Sequence, residues 1–325
     1  MMMRVFLPCL LLSLASPSWA EPRQLTHRYG VTQIDGTPER VVSLSYVGHD
    51  FLLALGVKPI ALRYWYGDGK FGVFPWAEQA LGDAEPVVLY GDIDVEQIAL
   101  LKPDLIVGQW SGMTETQYQL LSKIAPTIPP AAGEGDYTSS WQLMTRKLGE
   151  ALNMPEKAEA VIDRLETRFS DIRNAHPEWA GKSSAVVWPP RIGAYTSVDL
   201  RSRFLADLGF TPSVGVDQLI SSNAYYVMIP QEDLTPIDVD LLIWTDTAEL
   251  ADALDGIVLR KAMRAYREGR EVYADYDLGA ALSHSSPLSL DYALDRLVPL
   301  IEAAMDGDPA TPVESTAAEG VAPPS

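Results

Sequence analysis

Short apolar runs rich in β-branched residues recur along the chain, each closed off by Gly, Pro or Asp. In the first half these are Val41-Val42-Ser43-Leu44, Val57 to Leu62, Pro86-Val87-Val88-Leu89 and Leu105-Ile106-Val107. In the second half they are Ala185-Val186-Val187-Trp188, Leu241-Leu242-Ile243-Trp244 and Glu271-Val272-Tyr273. Runs this short, apolar throughout instead of alternating, read as strands buried on both faces, and the helical stretches between them make βα units with parallel sheets. Both halves are therefore expected to be α/β.

Between the halves, Ala158, Val161, Ile162, Leu165, Phe169 and Ile172 recur at helical spacing while charged residues fill the other face. Asn153 and Pro155 open this segment and Pro177 stops it, a start and stop suited to one uninterrupted helix. At about 1.5 Å per residue such a helix is roughly 30 Å long, enough to run along two domains as a rigid spine.

Two segments resemble each other. Asp94 to Val107 presents a capped short helix, an Asp and an apolar strand, and Pro230 to Trp244 repeats that order. The step from Glu96 to Asp104 equals the step from Glu232 to Asp240, which suggests two lobes of similar design.

The first twenty residues carry Arg4, an apolar run from Val5 to Ala15 and a small-residue end at Ser18-Trp19-Ala20, the pattern of a cleavable secretory signal. Cys9, the one cysteine, lies in its apolar core, too early to be the acylated cysteine that ends a lipoprotein signal. Removal of the signal leaves a thiol-free chain, so stability has to come from buried cores. The expected organisation is a signal over 1–20, a first α/β lobe over 21–152, a connecting helix over 153–178, a second α/β lobe over 179–306, and a disordered tail over 307–325 whose Pro, Ala, Glu, Ser and Thr show no periodicity. Lys and Arg number 25 against 44 Asp and Glu, a net charge of -19. That balance argues against nucleic acid and anionic membrane surfaces as partners.

No G-x-S-x-G elbow, P-loop or H-E-x-x-H motif occurs, so the chain is expected not to be an enzyme. Of the four histidines, only His49 and His284 are plausible cleft residues, too few for a cage around a bare transition metal. Aromatic and cationic residues are the stronger signal. Tyr46, the run Arg63-Tyr64-Trp65-Tyr66, Trp110, Trp188 and Tyr226 sit just past or near apparent strands. Ligand crevices in open α/β sheets form at the carboxyl ends of the strands. Flat rings suit a conjugated chelate and Arg pairs its oxygens. Arg191 and Tyr195 are further cleft candidates because they follow Trp188 soonest, whereas Asp199, Arg201 and Arg203 read first as the start of a helix.

Several strings together resemble the periplasmic binding proteins for ferric siderophores and vitamin B12, in particular the iron-siderophore branch. They include Arg40-Val41-Val42-Ser43-Leu44, Leu53 to Pro59, Trp65-Tyr66-Gly67, Phe74-Pro75-Trp76-Ala77, Leu101 to Ile106, Leu121 to Thr127, Gly193 to Arg201 and Ser285 to Asp295. The resemblance implies a class III periplasmic binding protein: two Rossmann-like lobes joined by a single long α-helix, little hinge motion, and a ligand held between the lobes. It implies a monomer that captures a ferric siderophore, carries no cofactor of its own, and hands its cargo to an ABC permease. It also implies docking roles for Glu96 and Glu232, which would meet arginines on the permease. As first-turn helix acids they would otherwise contribute under about 1 kcal/mol. Family members often have an uncharged residue where His284 stands, so a ligand contact and a purely local role stay open there. Haem, a corrinoid or a bare metal ion is the alternative cargo, with His49 or Tyr46 as an axial ligand for haem. An exported α/β hydrolase is the alternative of another class.

Overall fold

The computed structural model describes residues 22–221, 224–245, 250–318 and 320; the expected signal segment, with Cys9, lies outside them. The chain enters through an antiparallel hairpin of β1 (Arg23–His27) and β2 (Gly30–Ile34). Five parallel strands then form the first sheet: β3 (Val41–Ser43), β4 (Ala61–Arg63), β5 (Val87–Leu89), β6 (Leu105–Val107) and β7 (Thr127–Ile128), in the order β5-β4-β3-β6-β7. The order reverses between β3 and β6, the topological switch point of a doubly wound sheet. Helices cover both faces, so every residue of β3 and β6 is buried, and this is why those runs are apolar without alternation. The apolar run from Val57 begins as a loop, and only Ala61–Arg63 pairs as strand.

The second sheet contains β8 (Ser183–Trp188), β9 (Gly193–Tyr195), β10 (Thr211–Pro212), β11 (Tyr226–Met228), β12 (Leu241–Trp244) and β13 (Glu271–Tyr273). Its path is β11-β9-β8-β12-β13, with β10 paired to β8. Here the all-parallel expectation needs correction. Whereas β8, β12 and β13 are parallel, β9 runs antiparallel to β8, because the chain turns straight back after β8 without crossing over through a helix, and β11 pairs antiparallel with β9 and so points the same way as β8.

The internal repeat has a structural counterpart. Asp104, just before β6, accepts hydrogen bonds from the backbone N–H groups of Glu39 and Arg40, both at 2.8 Å, at the entry to β3. Asp240, just before β12, accepts from the Ser183 N–H at 2.9 Å and the Ser183 hydroxyl at 2.8 Å, at the entry to β8. In each lobe one carboxylate thus ties the start of the central strand to its neighbour. The elements preceding the two Asp residues differ. Val95–Leu100 is a helix capped by the Asp94 side chain, whereas the second copy forms only a 3-10 turn over Thr235–Ile237. Pro236 supplies no N–H to extend it.

The helix Pro155–Ala175 joins the two sheets in sequence, with Ala158, Ile162, Leu165 and Phe169 on its buried face. The last long helix, Pro287–Met305, crosses back and packs on Gly48–Ala54 and Pro75–Leu81 of the first lobe as well as on Pro155–Ala175. One continuous apolar cluster runs from Val41 and Leu105 through Leu165 and Phe169 to Phe204, Leu241 and Leu294. Polar bonds reinforce it: Asp50, fully buried, accepts from the Ser286 hydroxyl and from the Trp76 indole N–H, both at 2.7 Å. The two lobes therefore share a core, which resists the hinge opening that a flexible linker permits.

The tail, expected to be disordered, is corrected over its described part. Glu314–Ala318 is helical, Val313 and Thr316 are buried, and the Ser315 hydroxyl accepts the Tyr273 N–H at 3.0 Å. The β13 strand is an edge whose backbone donors need partners, and the tail supplies one, a tertiary pairing that composition does not reveal.

Candidate ligand-binding cleft

The switch point sets out the site. The Leu44 N–H donates to the Val107 carbonyl at 2.8 Å, which holds the exits of β3 and β6 side by side. Tyr46 and Trp110 each follow their strand by three residues. Arg63 ends β4, Tyr64 and Trp65 come directly after it, and Gly91 and Asp92 follow β5. These residues, with Tyr137 from the loop after β7 and Arg201 from the second lobe, line a cleft of about 500 Å³, a volume in the range of small-molecule sites.

Aromatic rings form its wall. Tyr46 and Trp65 lie 5.9 Å apart between centroids, Trp65 and Trp110 6.1 Å, and Trp110 and Tyr137 5.3 Å. Burial pushes the Tyr137 phenol above its usual pKa, so it remains a neutral donor at neutral pH. The backbone of Trp110 is left-handed, φ 58°, a conformation that is costly for a bulky residue and that clusters at functional sites.

Two guanidinium groups complete the cleft. Arg63 is 6 % exposed, stacks over the Tyr46 ring at 4.3 Å, and donates through Nε to the Gly91 carbonyl and through Nη1 to the Ser111 carbonyl, both at 3.0 Å. Arg201 stacks over Tyr195 at 4.1 Å, donates through Nη2 to the Ser283 hydroxyl at 2.8 Å, and pairs with Asp199 at 3.2 Å. A pocket walled by aromatic rings set at steep angles to one another, with two guanidinium groups held by hydrogen bonds, can bind a bulky chelated ligand. Among the described residues no three His, Cys, Asp or Glu side chains converge as they would around a metal ion.

The periplasmic binding protein model of this fold matches residues 41–278, from β3 past β13. The chain belongs to the periplasmic binding protein family. A probable siderophore-binding lipoprotein, YfiY, of Bacillus subtilis is 33% identical over 175 residues, 52% of this chain and 50% of that protein, so the match spans about half the relative's length. A periplasmic solute binding protein of Mycobacterium smegmatis superimposes with a TM-score of 0.78 at 31% identity, covering 87% of this chain and 99% of the other. PiaA of Streptococcus pneumoniae, solved in complex with ferrichrome, gives 0.72 at 26% identity over 88% and 99%.

Within this binding protein, Tyr46, Arg63, Trp65 and Trp110 fall in the cleft as the strand-end argument requires. The other candidates do not line it. Tyr66 packs against Trp65, Phe74 and Tyr276 in an aromatic cluster between the lobes. His284, 2 % exposed, lies in the same cluster beside Trp65, Phe74 and Trp76, with Nδ1 2.9 Å from the Ala280 carbonyl. His49 is equally buried, its ring 6.3 Å from that of His284. Trp188 packs on Tyr195, which underlies Arg201, and on Tyr226, which is itself exposed. Arg191 is exposed in the turn between β8 and β9; that reversal spends the residues soonest after β8 on the hairpin. The cation that enters the cleft is instead Arg201, in the first turn of the helix Leu200–Asp207, together with Tyr137. Neither adjoins the end of a strand evident in the sequence, so the strand-end signal could not find them. Glu96 and Glu232 are both exposed.

Proposed function

We propose that this binding protein captures a ferric siderophore in the cleft and delivers it to an ABC permease, as an exported carrier that performs no chemistry on its ligand. The observation that carries the reading is a pre-formed cleft at the switch point, walled by Tyr46, Trp65, Trp110 and Tyr137 and holding two arginines, in lobes bound together by a shared core. A chelate that already satisfies its iron asks for flat contact area and oxygen-directed donors, which is what these residues offer. The similarity to a siderophore-binding lipoprotein and to a protein solved with ferrichrome supports the same class. No helix among the described residues is long and apolar enough to cross a membrane, and the pattern of the first twenty residues supports export to the periplasm.

Glu96 and Glu232, exposed one on each lobe, are the proposed contacts for the permease. Co-elution on gel filtration tests the binding claim: the purified protein is expected to retain at least one member of a panel of radiolabelled ferric siderophores at one per chain. Failure to retain any of them would contradict it.

A further inference from the structure

Trp110 and Tyr137 stand on irregular loops, and one turn outside the cleft holds both of them. Trp110 belongs to the stretch after β6, and Tyr137 to the loop 129–140 after β7. The turn is Arg28-Tyr29, at the tip of the β1–β2 hairpin. Arg28 donates from its backbone N–H to the Pro130 carbonyl at 3.0 Å, from Nη2 to the Glu134 carbonyl, and from Nη1 to the Asp136 carboxylate. Tyr29 donates its hydroxyl to the carbonyl of Met113, close after Trp110, at 2.7 Å. The hairpin is itself anchored to the first lobe. Leu25 and Ile34 lie in the core, His27 Nε2 is 2.9 Å from the Thr32 hydroxyl, and that hydroxyl donates to the Thr127 carbonyl of β7 at 2.8 Å.

The loops meet where the rings do. Trp110 and Tyr137 are nearly perpendicular, at 83°. The Tyr137 hydroxyl comes within 2.6 Å of where a Cβ on residue 112 would stand, and Gly112, at φ 65°, makes room for it. An ion pair as exposed as Arg28–Asp136 adds little by itself. A guanidinium that grips a carboxylate and a nearby backbone carbonyl together instead fixes the path of the chain. Arg28 does not line the cleft. We infer that Arg28 is a positioning residue: its grip on Glu134 and Asp136 sets Tyr137 against Trp110, so that this part of the wall is in place before the ligand arrives. Without the grip the ligand has to order the loop, and apparent affinity falls with the fraction of molecules whose loop is correctly placed. The inference rests on the reading of this cleft as the ligand site and holds whichever chelate fills it.

In the ligand-free protein, Arg28→Ala, checked for native circular dichroism, is expected to speed amide hydrogen exchange across residues 131–138 by about tenfold or more, with β3 and β6 unchanged. Tryptophan-fluorescence titrations with ferric citrate, ferrichrome and a ferric catecholate complex are expected to show Arg28→Ala weakening whichever of them binds by about threefold to tenfold. In a Tyr137→Ala background the same substitution is expected to change affinity by less than about twofold, because the ring that Arg28 positions is gone. Asp136→Ala removes the grip from the loop side and is expected to reproduce both effects in smaller measure, should Arg28→Ala not fold. Unchanged exchange in the loop, or equal weakening with and without Tyr137, would overturn the inference and leave the siderophore reading intact. If none of the three chelates binds the unmodified protein, the siderophore reading fails, and the exchange measurement decides whether Arg28 holds the loop.

Discussion

His284 shows what a single buried imidazole does to this protein. Burial first of all, with a further contribution from neighbouring His49, lowers its pKa from 6.5 to about 4 against the opposing pull of Asp50. His49 is shifted the same way, chiefly by burial. His49 Nε2 lies 3.3 Å from Asp50 Oδ1 without hydrogen-bond geometry, and among the described residues neither ring nitrogen of His49 has a hydrogen-bond partner. Between pH 6.5 and 4 the unfolded chain binds a proton at position 284 that the folded chain refuses. Stability is therefore intact above pH 6.5 and is lost as pH falls towards 4, by about 3 kcal/mol for His284 alone at 1.36 kcal/mol per pKa unit. Urea unfolding at a series of pH values should show that decline, and His284→Gln should flatten it; an unchanged slope in the variant would assign the decline elsewhere. At this scale Tyr46, Arg63, Trp65 and Trp110 were legible because a strand end fixes where the next few residues point. Arg201 and Tyr137 were not, since they reach the cleft through helix and loop placement that only the packed structure defines. His284, which the resemblance left open between a ligand contact and a local role, ends the helix Tyr276–His284 with its ring walled in by Phe74 and Trp76.

Among the elements, the buried parallel strands were the most readable, since burial on both faces imposes continuous apolar runs. What escaped were β9, whose antiparallel return depends on a turn, β11, which pairs along the edge of β9, and the short strands β7 and β10, which hold two residues each. The repeat was readable as spacing, and its physical content is the pair of strand-entry carboxylates. Removing either one leaves backbone donors without partners, at about 1–3 kcal/mol. Asp240→Ala is expected to cost more than Asp104→Ala, because Asp240 is less exposed and also pairs with Arg264 at 3.2 Å and Arg270 at 3.0 Å. Chemical denaturation of the two variants checks the order. Equal or reversed losses would mean that the ion pairs add nothing to the Ser183 contacts.

For the whole molecule, the connecting helix Pro155–Ala175, the crossing helix Pro287–Met305 and the Asp50–Ser286 bond hold the lobes as one body. Such a body offers its docking face and its cleft independently. Glu96→Ala combined with Glu232→Ala is accordingly expected to lower iron uptake by cells severalfold while the purified variant binds its chelate with unchanged affinity. Normal uptake by the double variant would remove these two residues from the docking surface. The central claim, that the cleft grips an iron chelate, is tested most directly by tryptophan fluorescence during titration with ferric siderophores, because Trp65 and Trp110 line the cleft. The account predicts saturable quenching by at least one chelate, weakened roughly threefold to tenfold by Trp65→Ala. Flat fluorescence across the panel, or quenching with the same affinity in Trp65→Ala, would contradict it.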